Sequence, residues 1–283
     1  MLTEGQLKDI ERLQMIVEQT DRIELKLNWY FLRSRVSTNN DFFYYEGDQL
    51  LGFLALYYVG GAYEMCGMVH PDHRQKGIFS ELFQRVLNEL QNRKSQTLYI
   101  NSPPESDCAK KTLTKMGATY AYSEYQMRWQ KQDLPEPSVQ VKLVPAVEAD
   151  YGTILELDQK GFNLEKEEAR LLNKTLYNDP GHRIYMIENE DGEKVGKLRI
   201  KSEGIESYIF GFTVDPDYRR QGIGLSALIQ AVGQEAELGH TIFVEVGTED
   251  VRGLHLYEAV GFKTFQQQDY YKYEENMKGV SSV

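Results

Sequence analysis

The chain has 283 residues, of which 41% are hydrophobic and 27% charged, a composition typical of globular proteins. Its net charge of −11 at pH 7 argues against a general nucleic-acid-binding protein, because contacts to phosphates need a basic surface. No apolar run reaches the roughly 20 residues that span a bilayer. Residues 1–5 do not begin a signal peptide, so we expect a cytoplasmic protein with no membrane partner.

The acidic charge is concentrated in the second half of the chain. Residues 1–130 carry 15 basic and 16 acidic residues, whereas residues 131–283 carry 17 and 27. Such an excess fits a well-solvated surface, and it also produces a field that attracts cationic substrates.

The first part of the chain shows a regular alternation of helix and strand patterns. Leu7, Ile10 and Leu13 have helical spacing and predict the first of two helices within residues 3–36. The pattern then predicts three strands (42–46, 50–58 and 62–69), a helix (78–93), a strand (97–101), a helix (107–116) and closing strands within residues 118–129.

The same order of elements returns after a predicted linker at residues 131–138, where two prolines favour an extended chain. The pattern predicts a strand (139–143), two helices (149–159 and 165–176), three strands (182–188, 194–201 and 207–214), a helix (222–238), a strand (241–246), a helix (250–260) and a final pair of strands (262–266 and 270–273). Residues 276–283 are predicted to form a flexible tail.

An internal repeat explains this recurrence. Residues 69–78 (VHPDHRQKGI) reappear as residues 214–223 (VDPDYRRQGI), 145 positions later. Residues 115–118 match residues 259–262 at an offset of 144. Ordered matches at a nearly constant, domain-sized offset predict two copies of one α+β domain, at residues 1–130 and 139–275.

The loop after the strand that ends at Val214 carries the clearest chemical signal. Arg219, Gly222 and Gly224 have R-x-x-G-x-G spacing just before a predicted helix. The first turn of a helix has free N–H groups and a partial positive charge, and glycines let a phosphate approach the backbone. The loop has neither the G-K-[ST] of a P-loop nor a G-x-G-x-x-G, which disfavours nucleotide hydrolysis and hydride transfer.

Two blocks of the second copy are similar to the GCN5-related N-acetyltransferase (GNAT) superfamily. The first is the loop at residues 219–224, and the second is residues 244–262, which contain Leu-Tyr-Glu-Ala-Val-Gly-Phe at 256–262. Because the repeat covers nearly the whole chain, it resembles tandem members of that superfamily, such as mycothiol-synthase-like and firmicute tandem acetyltransferases. The resemblance implies a mixed, mostly antiparallel central sheet flanked by helices in each domain.

The resemblance implies acetyl-CoA as the acyl donor, bound in the second copy where two parallel strands separate. The implied cofactor-binding residues are Phe212, Thr213, Val214, Arg219, Arg220, Gln221, Gly222, Ile223, Gly224 and Asp250. Asp250 stands where the family often has asparagine, so a contact made by an amide donor is lost or changed there. No metal is expected, because His70 and His73 have no third residue at ligand spacing.

The resemblance also implies that Tyr257 protonates the departing CoA thiolate, against the alternative of a packed aromatic residue on an amphipathic helix. The base stays open, because the strand before Val214 has no acid near its end. Glu206 at the start of that strand and Glu245 on the next strand are the candidates, acting directly or through water. Each also fits an ordinary solvated carboxylate.

The first copy departs from this pattern. Phe79 stands where the second copy has Gly224, and Leu113, which cannot donate a proton, stands in place of Tyr257. Glu64, on the strand before Val69, is either a relic or a working base. We expect this copy to be degenerate and catalytically silent, and its capacity to bind CoA stays open.

Together these patterns predict an acetyl-CoA-dependent N-acetyltransferase that acts on a primary amine of a small molecule or peptide through the second copy. Two alternatives stay open. One is a non-catalytic acyl-CoA-binding regulatory protein, and the other is transfer to oxygen or of a longer acyl chain. The sequence is also compatible with a homodimer.

The acidic second half predicts that kcat/KM for a cationic acceptor falls as salt is added, because salt screens the attraction between exposed charges. The measurement is a series of initial rates at increasing NaCl concentration, with a neutral amine as the control acceptor. A value for the cationic acceptor that stays constant with salt would contradict electrostatic steering.

Overall fold

The computed structural model describes residues 1–33, 39–59, 62–93, 97–177 and 181–274. The chain forms two compact units: the first unit is Met1–Ser123 with Gln267–Val283, and the second unit is Glu124–Gln266. The predicted tail at 276–283 and the end of the second predicted helix at 34–36 lie outside the described residues. The predicted linker at 131–138 stays a prediction. The boundaries between the two units fall inside two strands, after Ser123 and after Gln266.

The helices are α1 (Glu4–Asp21), α2 (Trp29–Arg33), α3 (Ile78–Asn92), α4 (Asp107–Lys115), α5 (Tyr151–Phe162), α6 (Lys166–Tyr177), α7 (Ile223–Glu237) and α8 (Val251–Val260). The strands are β1 (Asp41–Glu46), β2 (Gln49–Val59), β3 (Ala62–Val69), β4 (Leu98–Ser102), β5 (Thr119–Trp129), β6 (Lys142–Pro145), β7 (His182–Glu188), β8 (Lys194–Glu203), β9 (Glu206–Val214), β10 (Thr241–Gly247) and β11 (Phe262–Tyr273). The predicted α+β fold class is confirmed, and most predicted elements lie within a few residues of these bounds.

The predicted final pair of strands is wrong, because residues 262–273 form the single strand β11. The polar run at residues 267–269, between the two predicted strands, is typical of a turn. In the structure Gln268 and Asp269 are buried, and Asp269 accepts a hydrogen bond from the hydroxyl of Ser123 at 2.6 Å. Partners inside the first unit thus allow polar residues to continue a strand.

The sheet of the first unit has the order β1-β2-β3-β4-β11, with β3 and β4 parallel and the other pairs antiparallel. Only the C-terminal part of β11, Asp269 to Tyr273, pairs with β4. Helix α3 packs on one face of the sheet through residues such as Leu82 and Val86. Helix α1 begins at a capping box formed by Thr3 and Gln6, and it buries Ile10, Leu13 and Val17 on the other side.

The sheet of the second unit has the order β5-β10-β9-β8-β7-β6, with β9 and β10 parallel. Helices α7 and α8 pack against Val244, Val246 and Phe262 on one face. Helix α5 buries Ile154 and Leu157 in a separate cluster. No helix in the described ranges is both long and apolar enough to cross a membrane.

The division of β11 between the units gives a paired test of the fold. Tyr270, stacked on Tyr122 at 4.7 Å, is 1% exposed, and Phe262 is fully buried in the core of the second unit. Replacing either ring with alanine is expected to cost about 3–5 kcal/mol. Hydrogen exchange should rise across β1–β4 in Tyr270→Ala and across β6–β10 in Phe262→Ala. Faster exchange in the same unit for both variants would contradict the division.

Candidate functional site

A bulge interrupts the pairing of β9 with β8. Lys197 pairs with Thr213 and Arg199 pairs with Phe210, so one residue of β8 lies opposite two residues of β9, Gly211 and Phe212. Gly211 has a φ of +54°, a left-handed conformation that favours glycine. A bulge of this kind bends its strand and increases the local twist.

The bend separates β9 from its parallel neighbour. The register of β9 with β10 runs as far as Ile209 opposite Val244, while β10 continues to Gly247 in pairing with β5. An opening therefore lies between Phe210–Val214 of β9 and the last three residues of β10. The sequence resemblance implied such an opening, and the bulge gives its physical cause.

The backbone of Val214 faces away from β8. Asp215 donates its N–H to the carbonyl of Val195 at 2.8 Å, which makes that pair a hydrogen-bonded one. Neighbouring pairs of an antiparallel ladder alternate, so Val214, opposite Gly196, belongs to a pair without hydrogen bonds. Its N–H is therefore directed to the side where the opening lies.

The loop before α7 has the geometry of an anion site. Arg220 and Gly222 both have left-handed φ values, +63° and +81°. Gly222 is the N-cap and provides no side-chain cap, so the first N–H groups of α7 are left for a ligand. Arg219, Arg220 and Gln221 are exposed beside it. Successive backbone N–H groups in such a turn, with the helix dipole, attract phosphate groups.

Three of the predicted segments meet at Gly224. A Cβ atom placed on Gly224 would lie 3.8 Å from Phe212, from Val214 and from Leu256. The first turn of α7, the end of β9 and the middle of α8 are thus in contact around this glycine. The structure therefore brings together the cofactor-binding residues predicted on the strand and in the loop with the helix that carries Tyr257.

Tyr257 lies in the core of the second unit and is 8% exposed. Its ring contacts Phe262 edge-on, with the centroids 5.7 Å apart. Burial and, to a smaller degree, the negative charge of Asp250 raise the pKa of Tyr257. The phenol therefore stays protonated at neutral pH, which a proton donor requires.

Asp250 is the N-cap of α8. Its carboxylate accepts a hydrogen bond from the N–H of Gly253 at 2.9 Å. This contact gives a structural reason for an acidic residue where the family often has asparagine, since aspartate caps a helix equally well. Its predicted role in cofactor binding stays a prediction.

The two candidate bases lie at different distances from the opening. Glu245 is exposed and directly follows Val244, the last residue of β10 that pairs with β9. Glu206 pairs with Thr241, four residues before Glu245, which places it about 13 Å away along the strand. Glu206 instead accepts a hydrogen bond from the hydroxyl of Tyr208 at 2.8 Å. Glu245 is therefore the better placed of the two.

A buried charged cluster behind the bulge was missed by the sequence analysis. Asp158 of α5 lies against Lys197 and Arg199 of β8, with closest N–O distances of 2.7 Å to each. Lys197 and Arg199 alternate with apolar residues, a pattern that is also typical of the solvent face of a strand. Asp158, one turn after Ile154 on the apolar side of α5, was the signal for a buried partner.

The first unit keeps the loop but lacks other parts of the site. Gln75 and Gly77 have φ values of +61° and +87°, close to those of the second loop. Arg74, however, donates two hydrogen bonds to Asp21, at 2.9 and 2.6 Å. The register of β3 with β2 shows no bulge. Leu113, in place of Tyr257, is buried among apolar residues.

A parallel strand pair opened by a bulge, followed by a loop with left-handed residues at a helix N-terminus, matches the acyl-CoA N-acyltransferase fold in the second unit. The chain belongs to the acetyltransferase (GNAT) family, whose model matches residues 6–117 and again residues 151–262. This membership confirms the predicted acyltransferase class and the tandem organisation.

A curated relative has a named acceptor. The chain is 30% identical over 91 residues to the ribosomal protein bS18-alanine N-acetyltransferase of Escherichia coli strain K12. The match covers 31% of this chain and 62% of the relative, which is less than two thirds of that enzyme.

Solved structures share the fold over most of the chain. A GCN5-related N-acetyltransferase from Sphaerobacter thermophilus has a TM-score of 0.77 at 18% identity, over 94% of this chain and 91% of that one. A tandem GNAT protein from the clavulanic acid biosynthesis pathway has a TM-score of 0.60 at 18% identity, over 83% and 82%.

Gly211→Ala tests whether the bulge depends on glycine. An added Cβ would lie 2.5 Å from the guanidinium of Arg199, in a left-handed conformation that costs about 1–2 kcal/mol for alanine. Gly204→Ala is the matched control, because Gly204 has a similar φ of +58° and no atom within 4 Å of its added Cβ. Urea unfolding should show a loss larger by about 1–3 kcal/mol for Gly211→Ala. Equal losses would contradict a tightly fitted bulge.

Proposed function

We propose that the protein is an acetyl-CoA-dependent N-acetyltransferase whose second unit transfers the acetyl group to a primary amine of a small molecule or peptide. The observation that carries the proposal is the opening between β9 and β10. The loop at residues 219–224 lies at the end of β9, and Tyr257 is buried in the core of the same unit. The bulge and the tyrosine have no counterpart at the corresponding positions of the first unit.

The residues of the second unit fit the two parts of acetyl-CoA that a protein must hold. The free N–H groups of residues 220–224 and the exposed guanidinium groups of Arg219 and Arg220 suit a pyrophosphate. The end of β9, with backbone groups turned away from β8, suits the amide-rich pantetheine arm. Acetyl-CoA supplies the activated acyl group in this reaction.

The chemistry needs a neutral amine, because a protonated amine has no lone pair for attack. Glu245 lies on the exposed face at the edge of the opening and would take the proton, directly or through water. The C–N bond forms as the C–S bond breaks. The N–H of Val214 would stabilise the negative charge that develops on the carbonyl oxygen. Tyr257 would then donate its proton to the departing thiolate.

Tyr257 and Glu245 approach the opening from opposite faces of the sheet. Tyr257 packs with Val244 and Val246, whereas Glu245, which alternates with them on β10, points to the other face. The arrangement supports entry of the amine from the exposed face and of the cofactor arm from the edge of the sheet.

An amine acceptor is also supported by the named relative, which is an alanine N-acetyltransferase acting on a ribosomal protein. The fraction of the chain that this match covers is too small to carry over its acceptor. The first unit, with Leu113 in place of the tyrosine and with Arg74 neutralised by Asp21, is proposed to be catalytically silent.

The proposal predicts one calorimetric acetyl-CoA site per chain and amine-dependent release of the CoA thiol. Tyr257→Phe is expected to lower kcat by about 10²–10⁴-fold, because general acid catalysis contributes about that much. Its acetyl-CoA affinity should stay unchanged, since the ring and its packing are kept. Thiol release with a panel of primary amines measures kcat, and titration measures the affinity.

Tyr125→Phe is the matched control, because Tyr125 packs against the same core and has no proposed chemical role. Normal turnover by Tyr257→Phe would contradict the role of the acid. Binding of acetyl-CoA without thiol release for any amine would favour the non-catalytic acyl-CoA-binding alternative. Two sites per chain would contradict a silent first unit, and no binding would contradict the proposed function itself.

A further inference from the structure

Lys197 is a cation buried directly behind the bulge. Asp158 and Lys197 are fully buried, and Arg199 is 1% exposed. The ammonium of Lys197 contacts Asp158 at 2.7 Å, donates to the carbonyl of Gly211 at 2.8 Å, and lies 5.3 Å from the ring centre of Phe162.

The cluster does not need Lys197 to balance its charge. Arg199 already donates two hydrogen bonds to the carboxylate of Asp158, at 3.1 and 2.7 Å. Asn173 donates a third at 2.8 Å, and it accepts one from Arg199 at 3.0 Å. The carboxylate of Asp158 therefore has hydrogen bonds from Arg199 and Asn173 without Lys197, and Lys197 is a surplus buried charge whose desolvation costs free energy.

The pKa of Lys197 reflects this cost of desolvation. Burial and then the charge of Arg199 lower the pKa of Lys197 to about 7, against the opposing effect of Asp158. The charged groups that face it are Asp158 from α5 and Arg199 from β8, whereas Gly211 from β9 and Phe162 from α5 bring no charge. Lys197 thus changes its charge near neutral pH, next to the opening.

The contact with Gly211 fixes the direction of a peptide group. In a planar trans peptide the carbonyl of one residue and the N–H of the next point in opposite directions. Because the Gly211 carbonyl points to Lys197, the N–H of Phe212 points away from it. An ammonium bound to the carbonyl also polarises the peptide and makes that N–H a stronger donor.

The first unit serves as an internal comparison. Phe53 corresponds to Lys197, since Gly52 and Gly196 pair with Val69 and Val214, the last residues of β3 and β9. Phe53 is fully buried and packs with Ala55 and the apolar residues of α1. The same layer is thus apolar in the first unit, where β2 and β3 pair without a bulge, and charged in the second unit, where β8 and β9 pair with one.

We propose that Lys197 is a positioning residue for acyl transfer, which holds and polarises the Gly211–Phe212 peptide so that the Phe212 N–H faces the cofactor arm. This inference rests on the proposed function of the second unit. It assigns a role in turnover to a buried lysine that charge balance in the core does not require.

The test is Lys197→Met, which keeps the length of the side chain and removes the donor. Because the Asp158–Arg199 pair stays complete, its melting temperature is expected to equal or exceed that of the wild type. Its kcat for acetyl-CoA and a primary amine should fall roughly tenfold, less than the roughly 10²–10³-fold cost of losing an oxyanion donor outright. The KM for the amine should not change, since the contact of Lys197 with Gly211 acts on the proposed cofactor arm and not on the acceptor.

Lys194→Met is the matched control, because Lys194 lies on the same strand and pairs with Asp150 at 2.5 Å, away from the bulge. The ratio of wild-type to Lys197→Met kcat should decrease as the pH rises through about 7, where Lys197 loses its charge. If Lys197→Met does not fold, Lys197→Gln gives the decisive comparison. It keeps a neutral donor, so its kcat should lie below that of the wild type at low pH and approach it as the pH rises through about 7.

The outcomes separate the two proposals. A wild type that binds acetyl-CoA and turns over, with a Lys197 variant of equal kcat at every pH, would overturn only the role of Lys197. A lower melting temperature with unchanged kcat would also overturn it, because the lysine would then be structural. A wild type that does not bind acetyl-CoA would overturn the proposed function and this inference together.

Discussion

The extra residue that Gly211 adds to β9 decides how far this strand can pair with β10. Before it, Ile209 lies opposite Val244 in a regular parallel ladder. After it, the strand bends away, and β10 continues only with β5. The loop at residues 219–224 follows the bulge at Gly211 and Phe212 by seven residues, so its position depends on the same bend. A single left-handed residue therefore sets both the opening and the direction of the chain that enters the loop.

The two units show how far one topology can diverge in its buried layers. Both have a strand followed by a loop with matching left-handed positions and then a helix. Between its sheet and α1, the first unit packs Leu13, Phe53 and Ala55. Between its sheet and α5, the second unit packs charged side chains. Hydrogen bonds from Arg199 and the charge of Lys197 outweigh burial and keep the pKa of Asp158 below its usual value. A layer of buried charged side chains is retained only where each charge has a partner or a functional role.

Much of the fold was predictable because it depends on local patterns that the repeat presents twice. The internal offset and the hydrophobic periodicity gave the order of the elements, and the loop spacing indicated the anion site. The continuous strand β11 was not predictable, since the burial of Gln268 and Asp269 depends on partners such as Ser123, which is distant in sequence. The choice between Glu206 and Glu245 also needed the register of β9 with β10. The role of Gly211 and the burial of Lys197 depend on tertiary contacts that no local pattern encodes.

The first unit includes a strand segment that follows the second unit in the sequence, and this order has a consequence for biosynthesis. The strand segment that pairs with β4 in the first unit is Asp269–Tyr273, and it leaves the ribosome after all of the second unit. Until then the nascent first unit has an unpaired edge at β4, and such an edge invites pairing with other chains. The complete sheet of the first unit therefore forms only after residues 269–273 have been translated. A gene cut at the boundary of the internal repeat would leave β4 without its partner strand.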